Sequence, residues 1–124
     1  MSKTADLRKL IKAQLNTAPG ETYHRIASAD ALHPYKTYNL SRVDLGDPAR
    51  DDYELMVDIW DHATDSKAVD EIADQLEELF NCSNLPQETI LPTFYRSSRY
   101  QVDEPDKDIQ HVQMTFLVQL YTNT

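Results

Sequence analysis

Two periodicities of apolar and polar residues stand side by side in the middle of the chain. From Tyr53 to Trp60, apolar and polar side chains alternate, which predicts a β-strand with one buried face. From Val69 to Phe80, apolar residues recur every three or four positions, as in an amphipathic helix. The DHATDS segment between them supplies turn residues, with Asp65 or Ser66 placed to cap the helix. The pattern therefore predicts a strand followed at once by a helix that packs back on it.

Weaker patterns predict one helix and two strands ahead of this unit. The helix is expected from about Thr4 to Gln14, where apolar residues fall on one face. A short strand is expected from Thr22 to Ala27, and a long one from Tyr35 to Leu45. The apolar residues of the long strand change face midway. This change indicates a bulge, a bend or a strand that leaves the core and projects.

The last part of the chain predicts a long hairpin. Its strands are expected from Thr93 to Val102 and from Ile109 to Tyr121, and the second has the cleanest alternation in the chain. Pro105 lies in the polar turn between them. The element order is then α-β-β-β-α-β-β. This order predicts an α+β fold in which a two-layer antiparallel sheet carries two helices on one face.

Length and composition predict a single domain over residues 1–124. No apolar run approaches the roughly 20 residues that span a bilayer. The first ten residues lack the apolar segment of a signal peptide, and the single cysteine excludes an internal disulfide. These features predict synthesis in the cytoplasm and no membrane partner.

The formal net charge of −9 arises from 21 acidic residues against 12 Lys and Arg. Tight binding to a nucleic-acid backbone depends on Lys and Arg that neutralise phosphates, so a protein that binds DNA tightly is disfavoured. A protein that lets DNA pass without adhesion, or that meets a basic partner, agrees with this charge. The chain has two glycines, Gly20 and Gly46, which stand far apart and exclude glycine-rich phosphate-binding loops. No cofactor is expected.

Two acidic clusters have ligand types that could hold a divalent metal. One has the spacing D-x-x-D-H-x-x-D, and the other lies in the loop ahead of it. The alternative for both is local hydrogen bonding, because Asp is favoured in turns. The histidines are scattered, no G-x-S-x-G segment is present, and Cys82 stands alone, so neither an enzyme nor a metal site is expected. The clusters comprise Asp58, Asp61, His62 and Asp65, and Asp44, Asp47, Asp51 and Asp52.

Three features point to surfaces for protein contacts. Met56 and Trp60 share the strand face opposite the helices, where a large aromatic side chain would be exposed in a monomer. The alternative there is a second small core under a loop. Tyr38 lies on the long strand, and Tyr95 and Arg99 belong to the late hairpin. The third feature is the acidic side of the second helix, which either faces solvent, docks a basic surface or lines a channel. Its carboxylates are Asp70, Glu71, Asp74, Glu77 and Glu78.

The order of these segments resembles that of a known family. The LRKLIKAQL helix comes first, followed by H-P-Y before the long strand, YELMVDIWDHATDSKAVDEIADQLEELF, and a final strand ending in HVQMTFLVQLY. Over nearly the whole chain, these segments resemble the tail-completion (tail terminator) proteins of long-tailed bacteriophages. The most specific part is the V-D-I-W strand, the short turn and the helix containing I-A-D-x-L.

The resemblance implies a small structural protein that closes the head-proximal end of the tail tube as a ring, usually of six copies. Such a ring stops tube growth, joins tail to head and lets DNA pass without specific binding. The implied partners are further copies of the chain, the tail tube protein and a head-completion or connector protein, all in the virion. The family has no catalytic residues to carry over. An alternative from another class is an acidic inhibitor that mimics DNA in the groove of a basic protein.

Overall fold

The computed structural model describes residues 2–43, 46, 50–81, 83–87 and 90–122. Within these residues the chain forms two helices and six strands. In chain order they are α1 (Lys3–Leu15), β1 (Glu21–His24), β2 (Tyr35–Val43), β3 (Asp51–His62), α2 (Lys67–Phe80), β4 (Ser83–Asn84), β5 (Ile90–Gln101) and β6 (Ile109–Thr122).

Side chains at the helix starts explain where α1 and α2 begin. The hydroxyl of Ser2 accepts a hydrogen bond from the Ala5 amide at 3.1 Å, which satisfies one of the unpaired amides of α1. Ahead of α2, the carboxylate of Asp65 accepts from the Lys67 amide at 3.1 Å. Ser66 is the residue at the cap position, but its hydroxyl donates to Asp70 at 2.8 Å instead. Asp65 is therefore the residue that provides the capping bond.

The strands form one mixed sheet in the order β1-β2-β3-β6-β5-β4. The hairpins β2–β3 and β5–β6 and the central pair β3–β6 are antiparallel. β1 runs parallel to β2, with Glu21 opposite Tyr35, so the prediction of an antiparallel sheet is wrong at this edge. The reason is that residues 25–34 carry the chain back along the edge before β2 starts, as a parallel pair requires. The α+β class is confirmed, and the two-residue β4 was not predicted.

Two local predictions about the strands are also corrected. β1 ends at His24 because Arg25 has φ of 71°, a left-handed conformation that interrupts the strand predicted to reach Ala27. β2 pairs with β3 without interruption from Tyr35 to Val43, so the described part of the long strand has no bulge. The irregularity lies in β5 instead, between Arg96 and Ser98.

The core lies on one face of the sheet, and both helices contribute to it. The inward positions of β2, β3, β5 and β6 face the same side in register, as in the row Leu40, Leu55 and Phe116. Phe80 of α2 packs between Phe94 and Phe116, with ring centroids 4.9 and 5.4 Å away. The buried residues of α1 are Leu7, Leu10, Ile11 and Leu15, and those of α2 are Val69, Ile72, Ala73, Leu76 and Phe80.

Lys36 is a fully buried lysine that ties the end of α1 to the sheet. Its ammonium group donates to the carbonyl oxygens of Ala18, Pro19 and Gly20 at 3.1, 2.8 and 2.5 Å. Burial lowers the pKa of the Lys36 amine from 10.5 to about 8. Gly20 approaches the backbone so closely that a Cβ there would lie 2.7 Å from the Pro34 carbonyl oxygen, and its φ of +89° favours glycine. The connection between α1 and β1 is therefore held by polar contacts.

Candidate interaction surfaces

The sheet face opposite the core, here called the outer face, carries a row of stacked rings. Tyr35, Trp60 and His111 are adjacent in register on β2, β3 and β6. The Trp60 ring lies 3.6 Å from His111 at an interplanar angle of 14°, and 6.4 Å from Tyr35 at 22°. His33 also packs near Tyr35, at 5.2 Å between ring centroids. Trp60 is consequently half-buried, and its ring contacts neighbours of its own chain.

His111 is the polar centre of this row and is only 6% exposed. Its Nε2 lies 2.6 Å from a carboxylate oxygen of Asp58, and its Nδ1 lies 2.8 Å from Glu104. Burial lowers the pKa of His111, but the hydrogen bonds and negative charges of Asp58 and Glu104 outweigh it, so the net pKa lies above 6.5. The arrangement favours a protonated imidazole held between two carboxylates.

The same group of contacts extends to Met56. The Gln113 amide donates to Asp58 at 3.1 Å and contacts the sulfur of Met56 at 3.4 Å. The Tyr100 hydroxyl in turn donates to the Gln113 carbonyl oxygen. Met56 and Trp60, the two predicted contact residues of β3, thus lie half-buried on the outer face, in contact with side chains of their own chain.

The other predicted contact residues lie at three different places. Tyr38 is 3% exposed and packs in the core, so it cannot meet a neighbouring chain from the folded subunit. Tyr38 lies opposite Val57 of β3, on the core side of the sheet. Tyr95 lies on the outer face opposite Leu117, and it is partly exposed. Arg99 lies on the opposite side of β5, toward α2.

The acidic side of α2 is partly neutralised within the subunit. Arg99 pairs with Asp74 at 2.7 Å and with Glu77 at 3.0 Å, and it lies 3.6 Å from Asp70. Arg96 makes a second ion pair to Glu77 at 3.0 Å. The remaining two carboxylates, Glu71 and Glu78, are exposed, and neither has an ion-pair partner in the described part of the chain.

The candidate metal clusters are not brought together by the fold. Asp58 bonds to His111, and Asp61 accepts from the His62 amide at 2.9 Å. Asp65 caps α2 as described above. In the second cluster, Asp51 pairs with Lys3 and Arg42, and Asp52 pairs with Arg50, while Asp44 and Asp47 lie outside the described residues. Among the described residues, no group of three or more His, Cys, Asp or Glu side chains is arranged to hold a metal ion.

Exposed apolar side chains occur in the loop before β2 and at one end of the β5–β6 pair. Ile26 and Leu32, in the loop between β1 and β2, are 81% and 78% exposed. At the ends of β5 and β6 remote from His111, a groove of about 300 Å³ is lined by Pro86, Leu91, Pro92, Thr93 and Tyr121. Leu91 and Tyr121, which face each other across β5 and β6, are each 38% exposed.

Sequence reasoning missed the His111 cluster and the exposed loop. The alternating pattern places Trp60 on the face opposite the helices, but its contact with His111 depends on the register of β3 against β6, which are separated along the chain by α2, β4 and β5. Ile26 was predicted to lie in a strand and Leu32 was not singled out, although two large apolar side chains in a segment rich in alanine and polar residues were a usable signal.

No protein-family model matches the chain, and no curated protein matches it. The fold is similar to that of a chain in a solved structure described as the virion of a native gene transfer agent (GTA) particle. The TM-score is 0.67, and the match covers 90% of this chain and 84% of that chain at 10% sequence identity. At this identity the comparison shows a shared fold. Among the described helices, neither is long and apolar enough to cross a membrane.

Proposed function

We propose that this chain is a structural protein of a phage-like particle, acting as a tail-completion protein. In this role, copies of the chain close the head-proximal end of the tail tube as a ring, six in number, and join the tail to the head. The observation that carries the proposal is the fold similarity to a virion chain over 90% of the sequence. The order of segments that resembles the tail-completion family supports the same role independently of the structure.

The polar groups of the outer face support a structural role over catalysis. His111 and Asp58 have the side-chain types of an acid–base pair, but they bond to each other and to Glu104 and Gln113 in a half-buried layer. Catalytic acids and bases need a reacting group within hydrogen-bond reach. Here the hydrogen bonds of His111 and Asp58 are made within the subunit, so these residues stabilise the outer face of the sheet.

The charge distribution supports passage of DNA without adhesion. The net charge of −9 repels a duplex, and Glu71 and Glu78 keep exposed carboxylates on α2. The alternative, a DNA mimic, needs an exposed row of carboxylates. It is less well supported because Asp70, Asp74 and Glu77 are drawn to Arg96 and Arg99 of the same chain.

The test is addition of the purified protein to tail tubes that lack a terminator. The expected results are tubes of uniform length, a ring at one end in negative-stain images, and tails that become competent to join heads. Tubes that keep growing and never join heads would refute the proposal. Salt-sensitive binding to a basic DNA-binding enzyme, with no effect on tubes, would support the DNA mimic instead.

A further inference from the structure

We propose that the corner between α1 and β1 binds one oxyanion, a phosphate or a carboxylate group, through the side chains of Arg8, His24 and Arg25. These three residues are here called the basic corner. They belong to none of the interaction surfaces described above, and anion binding there does not depend on the tail-completion role.

The basic corner lies on the core side of the sheet, at the edge formed by β1 and β2. His24 is the register partner of Tyr38, and the two rings lie 5.1 Å apart at an interplanar angle of 36°. Burial lowers the pKa of His24, and the charges of Arg8 and Arg25 lower it further. Burial raises the pKa of Tyr38, and the charge of Arg8 opposes this rise. The guanidinium of Arg8 in α1 is therefore close to both rings.

The positive charge of the basic corner is not balanced by carboxylates. Neither Arg8 nor Arg25 makes an ion pair within the described residues, although the chain has 21 acidic residues against 12 Lys and Arg. Glu21, the acidic residue of β1, accepts a hydrogen bond from the Tyr23 hydroxyl at 2.5 Å. Tyr23 lies on the opposite face of β1 from His24, because side chains alternate along a strand. A group of unbalanced cations in an acidic chain attracts an anion.

Two buried polar atoms of α1 and β1 have no hydrogen-bond partner within the described part of the chain. They are the Nε of Arg8 and the hydroxyl of Thr22, a residue that is 7% exposed. Thr22 lies two residues before His24, so both side chains are on the same face of β1. A buried donor without an acceptor is destabilising, and an oxyanion that binds a guanidinium side-on accepts from its Nε and one terminal nitrogen. Binding would therefore satisfy a donor that the free subunit leaves unpaired.

The side chains of the basic corner define the class of ligand. The planar guanidinium of arginine matches carboxylate and phosphate groups, and a protonated histidine adds a further donor. Three basic side chains can bind one oxyanion. A nucleic-acid backbone needs a row of phosphate contacts, which the net charge of −9 opposes. Two sources of the oxyanion remain, a free phosphate ion and a carboxylate of a second copy of this chain, and only binding of the second depends on protein concentration.

The experiment titrates the full chain with inorganic phosphate and, separately, with sodium acetate, at constant pH and ionic strength. NMR follows the ring protons of His24 and gives a dissociation constant for each anion. The variants Arg8→Gln and Arg8→Lys alter the basic corner. Lys9→Gln is the control, because it removes the same charge from the next residue of α1, which is exposed. Circular dichroism checks that each variant is folded, and Arg25→Gln, outside the helix, provides a second test that leaves α1 unchanged.

The wild type and Lys9→Gln are expected to give saturable shifts, with a dissociation constant for phosphate of about 1 mM. The pKa of His24 should rise on binding, because a nearby negative charge favours the protonated ring. Arg8→Gln and Arg25→Gln should each bind at least about tenfold more weakly, since a hydrogen bond from a charged group is lost. Arg8→Lys should lie between Arg8→Gln and the wild type, because it keeps the charge but loses the bidentate geometry.

The same measurements identify the source of the oxyanion. Saturation by added phosphate at low protein concentration indicates a free ion as the ligand. A His24 shift that grows with protein concentration without added anion, and that disappears in Arg8→Gln, indicates a carboxylate of a second copy. Shifts that never saturate in the wild type, or equal affinities for Arg8→Gln and Lys9→Gln, would overturn the assignment of this site. A His24 pKa that stays constant at saturation would show that the anion binds elsewhere.

Discussion

Replacement of His111 by glutamine tests the polar centre of the outer face. The pKa of His111 is raised in the folded protein because Asp58 and Glu104 outweigh the effect of burial. For a base whose folded pKa exceeds its unfolded value, the stabilising contribution is complete below the unfolded pKa, about 6.5, and is lost as pH rises through the folded pKa. The wild type should therefore lose stability relative to His111→Gln as the pH rises above 6.5.

The magnitude follows from the contacts of the imidazole. A hydrogen bond to a charged group contributes about 1.5–3 kcal/mol, and the side chains of Asp58 and Glu104, 20% and 23% exposed, place each bond at the lower end. Glutamine can replace one of the two bonds but loses the stack on Trp60, worth about 0.5–1.5 kcal/mol. The expected loss is about 2–3 kcal/mol at pH 6. Once the pH exceeds the folded pKa, the neutral ring donates to one carboxylate, as glutamine does, and the loss shrinks to about 1 kcal/mol.

Urea unfolding at pH 6 and pH 9 measures this difference. Fluorescence of Trp60, the single tryptophan, reports the outer face, and circular dichroism reports the whole fold. Glu104→Gln should reduce the pH dependence, because one of the two carboxylates is removed. His24→Gln is the control, since burial lowers the pKa of His24 and gives the opposite sign. Equal losses at both pH values for His111→Gln would refute the charged cluster.

Three further predictions concern the contacts that hold the layers together. Lys36→Met should destabilise the fold by about 2–3 kcal/mol because it leaves buried carbonyl oxygens without a donor. In the wild type, the Lys36 amine should titrate near pH 8 by NMR. Titration near 10.5 would contradict the burial of Lys36. Arg99→Ala should cost about 1 kcal/mol in urea unfolding, because its ion pairs are partly solvent-exposed, and the cost should fall at high salt. Tyr53→Phe should cost about 1 kcal/mol, because it loses the 2.7 Å hydrogen bond between Tyr53 and Thr4; an unchanged free energy of unfolding would show that this bond does not hold α1 to β3.

Those helices and strands that have a single core-facing apolar surface could be predicted from the sequence pattern. The alternation of β3 and of β6 and the helical stripe of α2 each depend on one core-facing surface, and each element occurs within a few residues of its expected bounds. The direction of β1 was not predictable in this way. It depends on where a ten-residue loop returns, and four residues of strand pattern contain no information on parallel or antiparallel pairing.

The candidate site was predictable only in part, since its contacts join residues far apart in sequence. The alternating pattern could assign Trp60 and His111 to outward positions. It does not define the register of β3 against β6, because a shift by two residues keeps the same side chains outward. The stacking of Trp60 on His111 depends on that register. Arg99 was assigned to a surface with Tyr95. The irregularity between Arg96 and Ser98 shifts the alternation of β5, and as a result Arg99 faces α2 while Tyr95 faces outward.

These placements change where neighbouring chains are to be expected. Surfaces that bind partners keep apolar area or charge unsatisfied in the free subunit. On the outer face, the rings of Trp60 and His111 stack on each other and the charges are paired within the chain. Three carboxylates of α2 are similarly engaged. The exposed apolar area lies instead in the loop before β2, at Ile26 and Leu32, and around Leu91 and Tyr121, at the ends of β5 and β6 remote from His111. Neighbouring chains are therefore expected at these positions rather than at Met56, Trp60 or the paired carboxylates of α2.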